Sequence, residues 1–150
     1  DMINRSNARK ARRRRTAKME LRSRILGAWS LAAVTGERAD GSRFEPFGPN
    51  PKGIIIFAPD GHFSLFQSTG AVPPVAAGDR AKATADEALG IVRAAIAYYG
   101  TYSLDAATKT LSVRIEAGTL ANLVGGPQTR HVTLLTADEL RFTNPRTPAG

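Results

Sequence analysis

Apolar positions along the chain repeat every second residue in some stretches and at helical spacing in one. Lys52–Phe66 (KGIIIFAPDGHFSLF) is the clearest case. Ile54, Ile55, Ile56 and Phe57 form an apolar, β-branched run, and Pro59-Asp60-Gly61 supplies turn chemistry. His62–Phe66 then returns with Phe63 and Leu65 on one face and His62, Ser64 and Phe66 on the other. Such a hairpin, apolar on both faces, needs further sheet and cover. Upstream, Leu26–Val34 alternates weakly, Leu26, Ala28, Ser30, Ala32 and Val34 against Trp29, Leu31 and Ala33, and reads as a first strand. Thr35–Pro51 reads as a loop or hairpin arm turning at Asp40-Gly41. Its prolines at 46, 49 and 51 cannot continue a ladder, and it is expected to plant Phe47 across a mouth or edge.

After a small, proline-bearing connection, Thr84–Ile96 switches to helical spacing. Ala85, Ala88, Leu89, Val92, Ala95, Ile96 and Tyr99 follow i, i+3, i+4, i+7, and Thr84 with Glu87 makes a T-x-x-E capping box. Everything later reads as β. Tyr98–Leu104 is aromatic and β-branched, and Thr110–Glu116 alternates Leu111, Val113, Ile115 against Ser112, Arg114, Glu116. Gln128–Leu135 and Glu139–Thr143 follow as strands. Seven or eight short strands with hairpin-length links form either a sandwich or a closed barrel. The scarcity of edge-protecting lysines favours closure. The predicted class is all-β with one helix, in one domain over residues 25–144, with a tail over 145–150 ended by Pro145 and Pro148.

Charge separates a further segment. Ten of the 21 Lys and Arg lie in residues 1–24 against two of the 13 acids, so the net +8 belongs to this segment and the remainder is neutral. Three readings compete for residues 1–24: a solvated or weakly helical extension, electrostatic binding to phosphate or an anionic surface, and targeting. The targeting reading sets Arg12–Arg15 before Ile25–Val34 as an n-region and h-region; a strand at Gly27-Ala28-Trp29 competes with it. A helical run through Ala17–Ile25 would close one end of the domain. Without a convincing cleavage signal or an apolar span of membrane length, a cytoplasmic protein is expected.

The absence of cysteine excludes disulfides, thiolate metal sites and a cysteine nucleophile. No G-x-S-x-G, Walker loop, dinucleotide glycine fingerprint or H-E-x-x-H is present. His62 and His131 lack partners at metal-ligand spacing, so neither a metal nor a cofactor is expected, and both read as hydrogen-bonded strand residues. His62 is also a candidate general base. Tyr98 and Tyr102 share a face opposite Tyr99, fit for core packing or for orienting a ligand. Arg114 and Glu116 share a strand face. They read as an outer ion pair or, if turned inward, as a polar site.

The chain resembles the bacterial and fungal lipocalin-like domain family. Leu26-Gly27-Ala28-Trp29 matches its G-x-W opening. Pro46-Phe47-Gly48-Pro49-Asn50-Pro51-Lys52-Gly53, Asp60-Gly61-His62 and Tyr99-Gly100-Thr101-Tyr102 follow in family order. The family tends to carry histidine and valine where Ser112–Glu116 stands and Pro-Asn-Trp before a later glycine; here only Asn122 and Gly125 match. The resemblance implies an antiparallel barrel of about eight or more strands around a central pocket for an apolar small molecule. It does not by itself choose between binding and catalysis, and binding of an apolar or aromatic molecule without catalysis is the expected function. Expected lining residues are Ile54, Ile56, Phe57, Phe63, Tyr102 and Asn122. By analogy with lipocalins, Arg130 would stack on the Trp29 indole as a structural pair. A first alternative is a cofactor-independent isomerase, cyclase or lyase using His62, Tyr102, Arg114 or Glu116. A second is anion or nucleic-acid binding through residues 1–24.

Overall fold

A computed structural model of the chain describes residues 9, 10, 12, 13, 15 and 21–144. The expectations for the rest of the basic extension and for the 145–150 tail lie outside the described residues.

Seven strands form one antiparallel sheet: β1 (Gly27–Ser30), β4 (Lys52–Phe57), β5 (His62–Ser68), β6 (Ala95–Asp105), β7 (Thr110–Gly118), β8 (Gly125–Leu135) and β9 (Leu140–Thr143). Their order is β1-β4-β5-β6-β7-β8-β9, a meander apart from the jump from β1 to β4. The sheet rolls into a nearly closed barrel with β1 and β9 at the two ends of the ladder. Two short strands, β2 (Gly36–Glu37) and β3 (Arg43–Phe44), pair separately and make the arm expected around Asp40-Gly41. There the Asp40 carboxylate accepts from the backbone N–H of Ser42 at 2.9 Å, and Arg38 lies 4.7 Å over the Phe44 ring.

Alternation puts one side chain in two on the inner wall. Phe57, Phe63, Leu65, Tyr102, Leu104, Leu111, Val113, Ile115 and Val132 are buried there together. Each stabilises the fold by about 1.5–3 kcal/mol relative to exposure. Residues 21–25 are helical and bring Leu21 and Ile25 into the same core, Ile25 with no exposed surface.

α1 (Ala85–Ala94) begins at the predicted capping box: Thr84 Oγ1 accepts from Glu87 N at 3.2 Å and Glu87 Oε1 from Thr84 N at 2.9 Å. Glu87 Oε2 also accepts from Ala76 N at 2.7 Å, which ties the β5–α1 connection to the helix. The helix is shorter than its periodicity predicts. Ala95 and Ile96 have good helical spacing but pair with Ser68 and Gln67 of β5, so ladder pairing overrides local propensity and β6 starts at Ala95. The first strand is shorter too: the ladder of β1 stops at Ser30, and one further bond runs from Leu31 N to Gly53 O.

Candidate functional site

Two transverse rows of side chains define the inner wall. In the first, Trp29 stands beside Ile55, Ile55 beside Leu65, and Leu65 beside Tyr98. In the second, Gly27, Phe57, Phe63, Gly100 and Ile115 are successive partners. Gly100 has no alternative in this row, because a Cβ there would lie 1.8 Å from the Arg114 carbonyl oxygen. The β6–β7 register shifts at this point, between Tyr99 and Gly100. The bare backbone lets β7 approach β6 closely here. Tyr102 meets Phe57 edge-on at 4.9 Å, and Tyr98 meets Phe63 edge-on at 6.0 Å, the arrangement aromatic quadrupoles favour.

Burial is graded across this wall. Phe57, Leu111 and Ile115 are each only 1% exposed. Trp29, Ile55, Tyr98, Leu123, Leu135, Leu140 and Phe142 pack on the same core but are half-buried. The less buried group includes the inner side chains of both ladder ends, Trp29 on β1 and Phe142 on β9, beyond which no further strand pairs among the described residues. An apolar surface partly open to solvent therefore continues directly from the packed core.

Few polar groups reach this surface. The Tyr102 hydroxyl donates to the Ala58 carbonyl at 2.8 Å. Burial pushes its pKa above the ordinary 10.0, against the pull of the nearby Arg22 charge. On β8, Gln128 and Arg130 are partners of the buried Val113 and Leu111 and so share their face. Gln128 Nε2 donates to Leu123 O at 2.9 Å, while Arg130 Nη2 donates to Gln128 Oε1 at 3.3 Å. Arg130 is half-buried and its other terminal nitrogen donates to Thr129 O. This corrects the expected stack: the guanidinium is held along β8, and the Trp29 indole is anchored by its own Nε1–H to Ile25 O at 2.8 Å.

Several expected site residues fall elsewhere. Phe57, Phe63 and Tyr102 are on the inner wall. Ile54 and Ile56 are not: they are 38% and 42% exposed, since strand neighbours of the inward Ile55 and Phe57 must point outward. Asn122 is exposed on a single 3-10 turn (Ala121–Leu123), and the residue of that turn packed on the core is Leu123. Three of the four acid–base candidates are outside. Arg114 and Glu116 are exposed on the outer face of β7. His62 is exposed on β5, its Nδ1 3.1 Å from Asp60 Oδ2. Hydrogen bonds from His62 to the Asp60 carboxylate hold that carboxyl below its ordinary 3.8. Tyr98, read from the sequence as sharing a face with Tyr102, does face inward, and the inner-wall residues not named as lining are Ile55, Leu123, Gln128 and Phe142. For Ile55 the signal was present: once Phe57 is taken as inward, alternation selects Ile55 and rejects its two isoleucine neighbours.

Among the described residues no group of three or more His, Asp and Glu stands close enough to hold a metal, and no helix is long and apolar enough to cross a membrane. An antiparallel meander curled into a nearly closed barrel, with a helical turn packed into its core beside an indole on the first strand, defines a lipocalin-type barrel. The family model for the lipocalin-like domain matches residues 26–149, and the chain belongs to that family. No curated protein and no solved structure matches the chain.

Proposed function

We propose that the protein binds an apolar or aromatic small molecule against the half-buried inner wall formed by Trp29, Ile55, Tyr98, Leu123 and Phe142, without catalysing its conversion. The graded burial carries this reading: apolar side chains that are continuous with the core yet partly open to solvent are the surface such a ligand would cover. Gln128 and Arg130 supply the few polar groups that fix orientation in pockets of this kind. A bound carboxylate or phenol would accept from Arg130. The membership in a lipocalin-like family agrees with this use of the interior. An acid–base reaction is less well supported, because His62, Arg114 and Glu116 face away from this wall and the Tyr102 hydroxyl is engaged with Ala58.

Trp29 is the only tryptophan of the chain, so its fluorescence reports on the site without labelling. Titration with oleic acid, retinol and 1-naphthol is expected to give saturable quenching or a blue shift with at least one of them. Ile55→Ala should weaken that binding, and Ile56→Ala, one residue along on the outer face, should leave it unchanged. Equal effects from the two substitutions, or an emission indifferent to all three compounds, would remove the proposal.

A further inference from the structure

We infer that the arginine-rich segment before the barrel is a docking surface for the phosphate backbone of nucleic acid. Arg9, Lys10, Arg12, Arg13 and Arg15 are helical and exposed, and Arg22 and Arg24 are exposed on the turn that enters the barrel. Arg9, Arg12 and Arg13 stand at i, i+3 and i+4, so their side chains share one helix face. Like charges at this spacing repel, and residues 1–24 contain only Asp1 and Glu20 to offset ten cations. A polyanion relieves that repulsion and releases its own counterions as it binds. Eight of the ten cations are arginine, whose planar fork matches phosphate oxygens in pairs.

Nucleic acid is favoured over a lipid surface by the apolar residues. A helix lying in a membrane interface needs an apolar face to enter the acyl region. Here Leu21 and Ile25 are committed to the barrel core, and of the seven residues from 9 to 15 six are cationic and the seventh, Ala11, is small. The bond from Trp29 Nε1 to Ile25 O fixes the end of the segment to the barrel. The remainder of the chain is neutral, so the attraction is confined to this segment.

The test is fluorescence anisotropy of the full chain with a labelled DNA duplex of roughly 20 base pairs. With about four or five phosphates neutralised, affinity should fall about 10²-fold between about 50 and 200 mM NaCl. The quadruple variant Arg9→Gln, Arg12→Gln, Arg13→Gln, Arg15→Gln should bind at least about tenfold more weakly at the lower salt, with far-UV circular dichroism of the barrel unchanged. Arg38→Gln with Arg43→Gln, on the β2–β3 arm, should bind like the parent. Affinity that ignores salt, a quadruple variant that binds normally, or tighter binding to phosphatidylserine vesicles than to duplex at equal phosphate would each overturn the inference.

Discussion

The two walls of β4 and β5 use nearly the same residue types to opposite ends. Facing inward are Ile55, Phe57, Phe63 and Leu65; facing outward are Ile54, Ile56, Ser64 and Phe66. Phe63 is 3% exposed and Phe66 43%, although both are phenylalanines of one seven-residue strand. The difference lies in what the pleat places opposite each ring. Phe63 packs beside Phe57 and Tyr98 of the two neighbouring strands on the inner wall, whereas Phe66 stands between Ile54 and Ala97 on the outer wall, open to solvent. Hydrophobicity therefore sets which segments become sheet, and alternation sets which half of each segment holds the fold together.

Truncation on either wall should separate the two roles most widely. Phe57→Ala leaves a cavity among rings at 4.9 and 6.5 Å and is expected to cost about 3–5 kcal/mol in urea-induced unfolding. Ile56→Ala, on the neighbouring residue, removes side chain that is already 42% exposed and should cost less than about 1 kcal/mol. Similar costs for the two would mean that the outer wall is covered in solution.

A reversed pair sharpens the contrast at a position where size and effect run in opposite directions. Tyr99 and Gly100 are adjacent on β6, one outward and 49% exposed, the other buried against β7. Gly100→Ala adds a single carbon that must displace the Arg114 carbonyl or bend the strand. Its expected cost is about 1–3 kcal/mol, typical of overpacking. Tyr99→Ala removes an entire phenol and should cost less than that. Thermal unfolding of both variants decides the order. A Gly100→Ala protein as stable as its parent would show that the bulge relaxes freely.

The same pair marks how far the sequence could be read. The hairpin at Pro59-Asp60-Gly61, the capping box at Thr84 and Glu87, and the alternation of Leu111, Val113 and Ile115 were legible, because each is a local pattern with one physical meaning. Ile55, in the first row of the inner wall, was legible only indirectly, through Phe57. The run Ile54-Ile55-Ile56 is uniform, so alternation has no contrast to act on until the neighbour across the strand is known. Arg130 was misassigned for a related reason. Its partners are Gln128 on its own strand and the backbone beside it, and no spacing in the sequence distinguishes that from a reach across the barrel. Leu123 could be found only by knowing that the turn preceding β8 folds back over the core.

The smallest expected effects come from two titrating groups near the β4–β5 turn, one enclosed by the inner wall and one in the solvated turn itself, and they have opposite signs. On the inner side, burial raises the Tyr102 pKa above 10.0. The unfolded chain therefore ionises first, and the stability this group contributes is present below about pH 10 and is lost as pH rises through the folded value. In the turn, hydrogen bonds from His62 lower the Asp60 pKa below 3.8. There the unfolded chain takes up the proton first, so that contribution is present above about pH 4 and declines as pH falls through the folded value. Tyr102→Phe should flatten the alkaline limb of a stability-versus-pH curve. The Ala58 carbonyl it abandons still accepts from Gly61 N at 3.2 Å, so no buried acceptor is left unpaired. Asp60→Asn should flatten part of the acid limb and leave the alkaline one alone. The acid change should be the smaller and should shrink with added salt, since Asp60 is solvated and Tyr102 is enclosed. If Tyr102→Phe left the alkaline limb as steep as before, the hydroxyl would be in contact with water in solution, and the inner wall would be open deeper than Phe57.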